Sequence, residues 1–140
     1  MLEGDRAEWA ALAAVLDAHP DVALHDAESP SWTSRDVYAH FARWIEHSTG
    51  QLEAYLQGRK LSELEGADDE INARWQQEDE RLILDKARAW ANEAVEQRIQ
   101  AIARVPVDRW DDALEQIARA DGAEHIRGHR SYMASGQGPR

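Results

Sequence analysis

Apolar residues in this chain recur at steps of three and four, the spacing of amphipathic helices rather than of strands. Trp9, Leu12, Ala13 and Leu16 form one such stripe and predict a first helix over about Asp5 to His19, stopped by Pro20. His19 in its last turn suits the negative end of the helix dipole. The stretch from Asp21 to Ser31 has no sustained period and contains Pro30, which predicts a connection packed along the other helices. Thr33 with Asp36 three residues on resembles a capping box, Asp standing for Glu, and opens a second helix to about Gln57, ended by Gly58. Val37, His40, Phe41, Trp44, Ser48, Leu52 and Tyr55 make its stripe.

The charged stretch Arg59 to Asp69, with Gly66, reads as an exposed loop, and Ile71 with Trp75 at i, i+4 predicts a short helical turn. A long third helix over about Glu80 to Arg104 carries Leu84, Ala87, Ala91, Val95, Ile99 and Ile102 on one face, with Pro106 beyond its end. Asp108 to Asp112 around Trp110 reads as a connector. A last helix over about Leu114 to Met133 aligns Leu114, Ile117, Asp121, His125, His129 and Tyr132. Fraying is expected from Ser131, with residues 134–140 a flexible tail. The expected fold is therefore all-α, a four-helix bundle forming one domain over residues 1–140.

Composition supports this reading. Ala, Glu, Leu, Arg and Gln dominate while Val, Ile, Thr and Phe are sparse, so there is little from which to build a sheet. With 27 acidic against 16 basic residues the formal charge is −11, and the basic residues are scattered. A phosphate backbone would be repelled over most of such a surface, so nucleic acid is not an expected partner. There is no cysteine, which removes disulfides, thiolate ligands and a cysteine nucleophile together. The longest apolar stretch, Trp9 to Leu16, is 8 residues and follows Glu3, Asp5 and Glu8, which fits neither a signal peptide nor a membrane span. The expected location is the cytoplasm.

The candidate chemistry lies in three histidines on inward faces. His125 and His129 at i, i+4 stand one above the other on one helical face, their Cβ atoms about 5 to 6 Å apart, so both rings can reach one ion. Such a pair alone is usually solvated. His40 on the second helix changes the weighing: a lone inward histidine is more often a core residue bonded to a neighbouring helix, but beside the pair it reads as a third ligand. His47 is two turns further on, roughly 10.5 Å along the axis, and cannot share an ion with His40 without distortion. His19 and His25 suit capping or solvent exposure. Asp121, one turn before His125, is the candidate catalytic residue, as fourth ligand, acceptor orienting an imidazole or general base; equally, it suits a polar position facing a wet pocket. The six tryptophans are expected mostly in packing, with Trp44 beside the metal pocket. Asn72 suits the pocket mouth or a helix cap.

The run Trp32-Thr33-Ser34-Arg35-Asp36-Val37-Tyr38-Ala39-His40-Phe41-Ala42-Arg43-Trp44, followed far downstream by His125-Ile126-Arg127-Gly128-His129, resembles the DinB superfamily of four-helix metalloproteins. Within it, that pattern and the Asn72 to Trp75 segment are most similar to the ClbS/DfsB-like members. The resemblance spans roughly Ser31 to Met133 and implies an up-down-down-up bundle, zinc or nickel on His40, His125 and His129, and often a homodimer. In the mycothiol-dependent isomerase branch one ligand of the last helix is a glutamate, where this chain has His125.

Three histidines leaving coordination positions open point to a metal-dependent enzyme, a hydrolase or a thiol-dependent transferase acting on a small electrophile. A low-molecular-weight thiol would then come from outside the chain. The other readings are a non-catalytic metal or small-molecule binding protein of stress or resistance, with Asp121 closing the fourth position, and a bare packing protein.

Overall fold

The computed structural model describes residues 2–18 and 32–134, and every regular element within them is helical. The chain forms α1 (Leu2–Ala18), α2 (Ser34–Leu56), α3 (Asp68–Glu78), α4 (Leu84–Ala103), a short 3-10 turn at Val107–Arg109, α5 (Asp112–Arg119) and α6 (Ala123–Ala134). The expectations for His19, His25, the 20–31 connection and the 135–140 tail lie outside the described residues. The last helix runs to Ala134.

The local signals around α2 hold in atomic detail. The Thr33 hydroxyl accepts from the Asp36 amide while the Asp36 carboxylate accepts from the Thr33 amide at 2.9 Å, so two otherwise orphaned donors are satisfied. At the far end Gly58 takes φ +68°, its amide bonds the Tyr55 carbonyl, and the Arg59 amide bonds the Ala54 carbonyl at 2.8 Å. This is a Schellman ending, which needs a residue tolerant of left-handed backbone at Gly58.

Packing centres on α2, which lies along α4 and also meets α3 and α5, while α1 lies along α6. Ala87, Ala91 and Ala94 line the buried face of α4, so small side chains let that backbone approach Tyr38, Phe41 and Ile45 of α2. Trp9, Leu12 and Leu16 close this core from α1, and Ile126 closes it from α6. A second cluster, Leu52, Ile102, Val105, Leu114 and Ala118, joins α2, α4 and α5. The Tyr38 hydroxyl donates to Asp17 at 2.8 Å; burial and that carboxylate push its pKa up to about 12, so it remains a donor at any physiological pH.

Three expectations are corrected. The short turn at Ile71 and Trp75 is a full helix, α3, whose otherwise polar surface weakens its periodic signal. The third helix starts at Leu84 rather than Glu80, because the Asp79 carbonyl is taken by the Leu82 amide and the Arg35 guanidinium in a turn. The last helix is not continuous. Asp121 takes φ +60° and splits it into α5 and α6, so the stripe from Leu114 to His129 does not run along one axis.

The break depends on Arg98. This α4 side chain is 4% exposed and donates to the carbonyls of Ala118 at 2.5 Å and Ala120 at 2.8 Å, which a continuous helix would have used internally. It also pairs with Asp5 of α1, whose other oxygen accepts from the Ala123 amide at 3.0 Å and so caps α6. Gly122 is required there: a Cβ would stand 2.5 Å from Arg98 Nη2 and 3.1 Å from Asp5 Oδ1.

Arg98→Met strands the buried Asp5 carboxylate and should lower stability by about 3–5 kcal/mol. Urea unfolding measures this. The double variant Asp5→Asn/Arg98→Met should lose less than the two single losses summed, because the pair acts as one unit.

Candidate metal centre

His40 reaches the interior because it shares the buried face of α2 with Val37 and Phe41, and it is 6% exposed. His129 is buried at 3% on α6, while His125, one turn earlier, is half-buried. Ligand nitrogens of the three rings lie within 4.8 Å of one another. The ring centroids are 5.0 Å apart for His40 and His129, 5.5 Å for His40 and His125, and 4.9 Å for the α6 pair. His47 is outside this group and stands against Trp44, as its distance along α2 predicts.

The donor set fits a divalent ion. Nε2 of His125 and Nε2 of His129 face each other at 3.2 Å. Two nitrogens each about 2.1 Å from one zinc at a tetrahedral angle are about 3.4 Å apart, so this pair is already at ligating separation. His40 offers a ring nitrogen within 4.8 Å of those of the pair. Both of its ring nitrogens are buried without a well-formed hydrogen bond, although the Asn72 side chain of α3 stands close enough to act on the ring, so the ligand reading is favoured over that of a core histidine bonded to a neighbouring helix. Leaving such groups unpaired costs about 1–3 kcal/mol, a cost that coordination would offset.

Burial, then the adjacent imidazoles of His129 and His125, hold the His40 pKa well below the ordinary histidine value, and the nearby Asn72 side chain opposes this only in part. His40 is therefore neutral, the form that ligates.

Asp121 occupies the bend between α5 and α6. Its left-handed backbone is one that Asp tolerates better than most residues. Oδ1 lies 3.0 Å from His125 Nδ1, a contact whose angle falls short of a hydrogen bond, and Oδ2 accepts from the Ser48 hydroxyl. Asp121 is thus tied to α2 as well as to α6.

A cavity of about 500 Å³ opens onto His40 and His125, walled by Trp44, Asn72 and Asp121. Trp44 Nε1 donates to Asn72 Oδ1 at 2.7 Å. Asn72 lies within α3 rather than at its start, so the capping alternative is set aside. α3 is held against α2 by this bond, by the 4.9 Å edge contact of Trp44 with Trp75, and by Arg43, which bonds both oxygens of Asp79.

The structure thus brings together every residue singled out for the site. Sequence reading missed four that complete it. Arg98 and Asp5 hold the bend, and the only signal was a charged residue at 98 within the apolar spacing of Val95, Ile99 and Ile102. Asp68 and Asp69 at the cavity mouth gave no signal, since acidic residues in a first helical turn are ordinary.

The neutral state of His40 makes the metal-free protein sensitive to acid. A folded-state pKa below the unfolded value of about 6.5 means the unfolded chain binds the proton first, so stability present above pH 6.5 falls as pH drops, by at most about 1.4 kcal/mol per pH unit for this group. Urea unfolding in chelator between pH 7.5 and 4.5 should show a weaker pH dependence for His40→Phe than for the parent.

Comparison with protein-family models, with curated proteins and with solved structures finds no match to this chain.

Proposed function

We propose that this chain is a small divalent-metal-dependent enzyme of the DinB-like four-helix type, acting as a hydrolase or thiol-dependent transferase on a small electrophile. The observation that carries the reading is a cluster of three imidazoles, His40 and His129 buried, of which His40 and His125 line a cavity. In this reading α1, α2, α4 and the α5–α6 pair are the four helices of the bundle. His40, His125 and His129 hold the ion, with zinc or nickel the metals that the resemblance implies. When bound, the ion lowers the pKa of water or of a thiol toward neutrality and so supplies a nucleophile.

The remaining roles belong to the chain. Asp121 faces Nδ1 of His125 and favours the tautomer with its proton there, leaving Nε2 as the ligating atom. Because its other oxygen already accepts from Ser48, an orienting role suits Asp121 better than that of a free general base. Trp44 gives the cavity an apolar wall, and its bond to Asn72 keeps that wall in place. The cavity's contact with His40 and His125 leaves room for a substrate beside the ligands, which favours catalysis over purely structural or storage use.

Purified protein should contain one zinc or nickel per chain by elemental analysis, and His40→Ala, His125→Ala and His129→Ala should each lose it. Metal content unchanged in all three would overturn the site assignment. Chelation should lower the melting temperature of the parent, since an ion at 100 times its Kd adds about 2.7 kcal/mol to the native state. Asp121→Asn, which retains the backbone tolerance, should weaken metal affinity about 10- to 100-fold. Turnover of an electrophile panel with water, glutathione, mycothiol or bacillithiol separates an enzyme from a binding protein, which would turn over none.

A further inference from the structure

The carboxylates around His40 differ in how they are compensated. On one side, Asp36 pairs with Arg35 at 2.6 Å and Asp79 pairs with Arg43 at 2.8 Å. On the cavity side, Asp68 and Asp69 make no ion pair among the described residues, and both are exposed at the start of α3. They line the same cavity as Asp121, and neither Lys nor Arg lines it. The positive end of α3 offsets roughly half a unit charge, which leaves the mouth negative on a chain of formal charge −11. The cavity floor holds His40, more than nine-tenths buried, with both ring nitrogens lacking a hydrogen bond. The site thus pairs a floor of buried imidazole nitrogen with an acidic mouth.

We infer that this cavity selects ligands that carry a cationic group, an amine or quaternary ammonium, on the end remote from the atom that reaches the histidines. The inference rests on the metal reading above and adds to it the charge of the ligand. A donor atom at the histidines leaves the ligand's tail against Asp68 and Asp69, where a cation gains attraction and a carboxylate meets repulsion. Trp44, which lines the same cavity, adds an aromatic surface beside which an ammonium group is stabilised. Thiols bearing several carboxylates are therefore poor occupants, and thiols or electrophiles bearing an amine are good ones.

The test uses the full chain loaded with Co(II), whose thiolate charge-transfer band reports binding without turnover. Three thiols differing in tail charge are titrated: thiocholine, 2-mercaptoethanol and 3-mercaptopropionate. Each forms a sulfur–cobalt bond, its thiol proton passing to buffer. Because the thiols differ in intrinsic acidity, the readout is the change between the parent and Asp68→Asn/Asp69→Asn. The double variant should lose about fivefold or more of the preference for thiocholine over 3-mercaptopropionate, with 2-mercaptoethanol unchanged. Raising ionic strength from 0.01 to 0.5 M should shrink the same preference in the parent. Equal preference in parent and variant, with circular dichroism and cobalt content alike, overturns the charge selection and leaves the metal site standing. A cobalt-loaded protein that shows no charge-transfer band with any thiol overturns the open-site reading and this inference together.

Discussion

The Arg98 guanidinium is the contact on which the rest of the architecture depends. It is buried between α1, α4 and the α5–α6 bend, and it takes two backbone carbonyls that would otherwise continue a helix. A charge removed from water is tolerated only if it is paired and fully hydrogen-bonded, and here Asp5 and the carbonyls of Ala118 and Ala120 do both. The arrangement forces the chain to turn at Asp121, and Asp5 then caps the helix that follows. The direction of α6, and with it the positions of His125 and His129, follows from that one buried pair.

The histidine cluster has the opposite character. Neither nitrogen of His40 makes a well-formed hydrogen bond, and its ring stands against four other aromatic rings, Trp32, Phe41, His125 and His129. Interiors rarely retain such unsatisfied groups unless a function uses them. Burial also keeps His40 neutral, so the same desolvation that makes the residue costly prepares it as a ligand. Around it, Asp121 links Ser48 of α2 to His125 of α6, so the helices that supply imidazoles are coupled by a carboxylate as well as by packing.

The cavity is built by a different set of forces. α3 has few apolar residues and stays on α2 through Trp44 with Asn72 and Trp75 and through Arg43 with Asp79, Arg43 also standing over the rings of Trp75 and Trp90. These contacts sit on the partly buried flank of α2, where charged and aromatic groups together hold a mostly polar helix. By docking with its first turn at the opening, α3 supplies Asp68 and Asp69 to the mouth.

The all-helical character of the chain, the capping box at Thr33 and Asp36, the ending at Gly58, the place of His40 on the apolar stripe of α2 and the i, i+4 pairing of His125 with His129 were determined by sequence alone. Each is encoded locally, by residues within about four positions that share a helical face or bond one another's backbone. The exclusion of His47 follows from rise per residue in the same way. Only the tertiary structure decided the break at Asp121, which local periodicity reads straight through because Leu114, Ile117, His125 and His129 keep helical spacing across it. The cause lies on α4 and α1, far away in sequence, in a side chain whose charge is stable only once three helices surround it. The alignment of His40 with the α6 pair, the bond from Asp121 to Ser48 and the acidic mouth are likewise pairings between helices, and such pairings exist only when the core has chosen which faces meet.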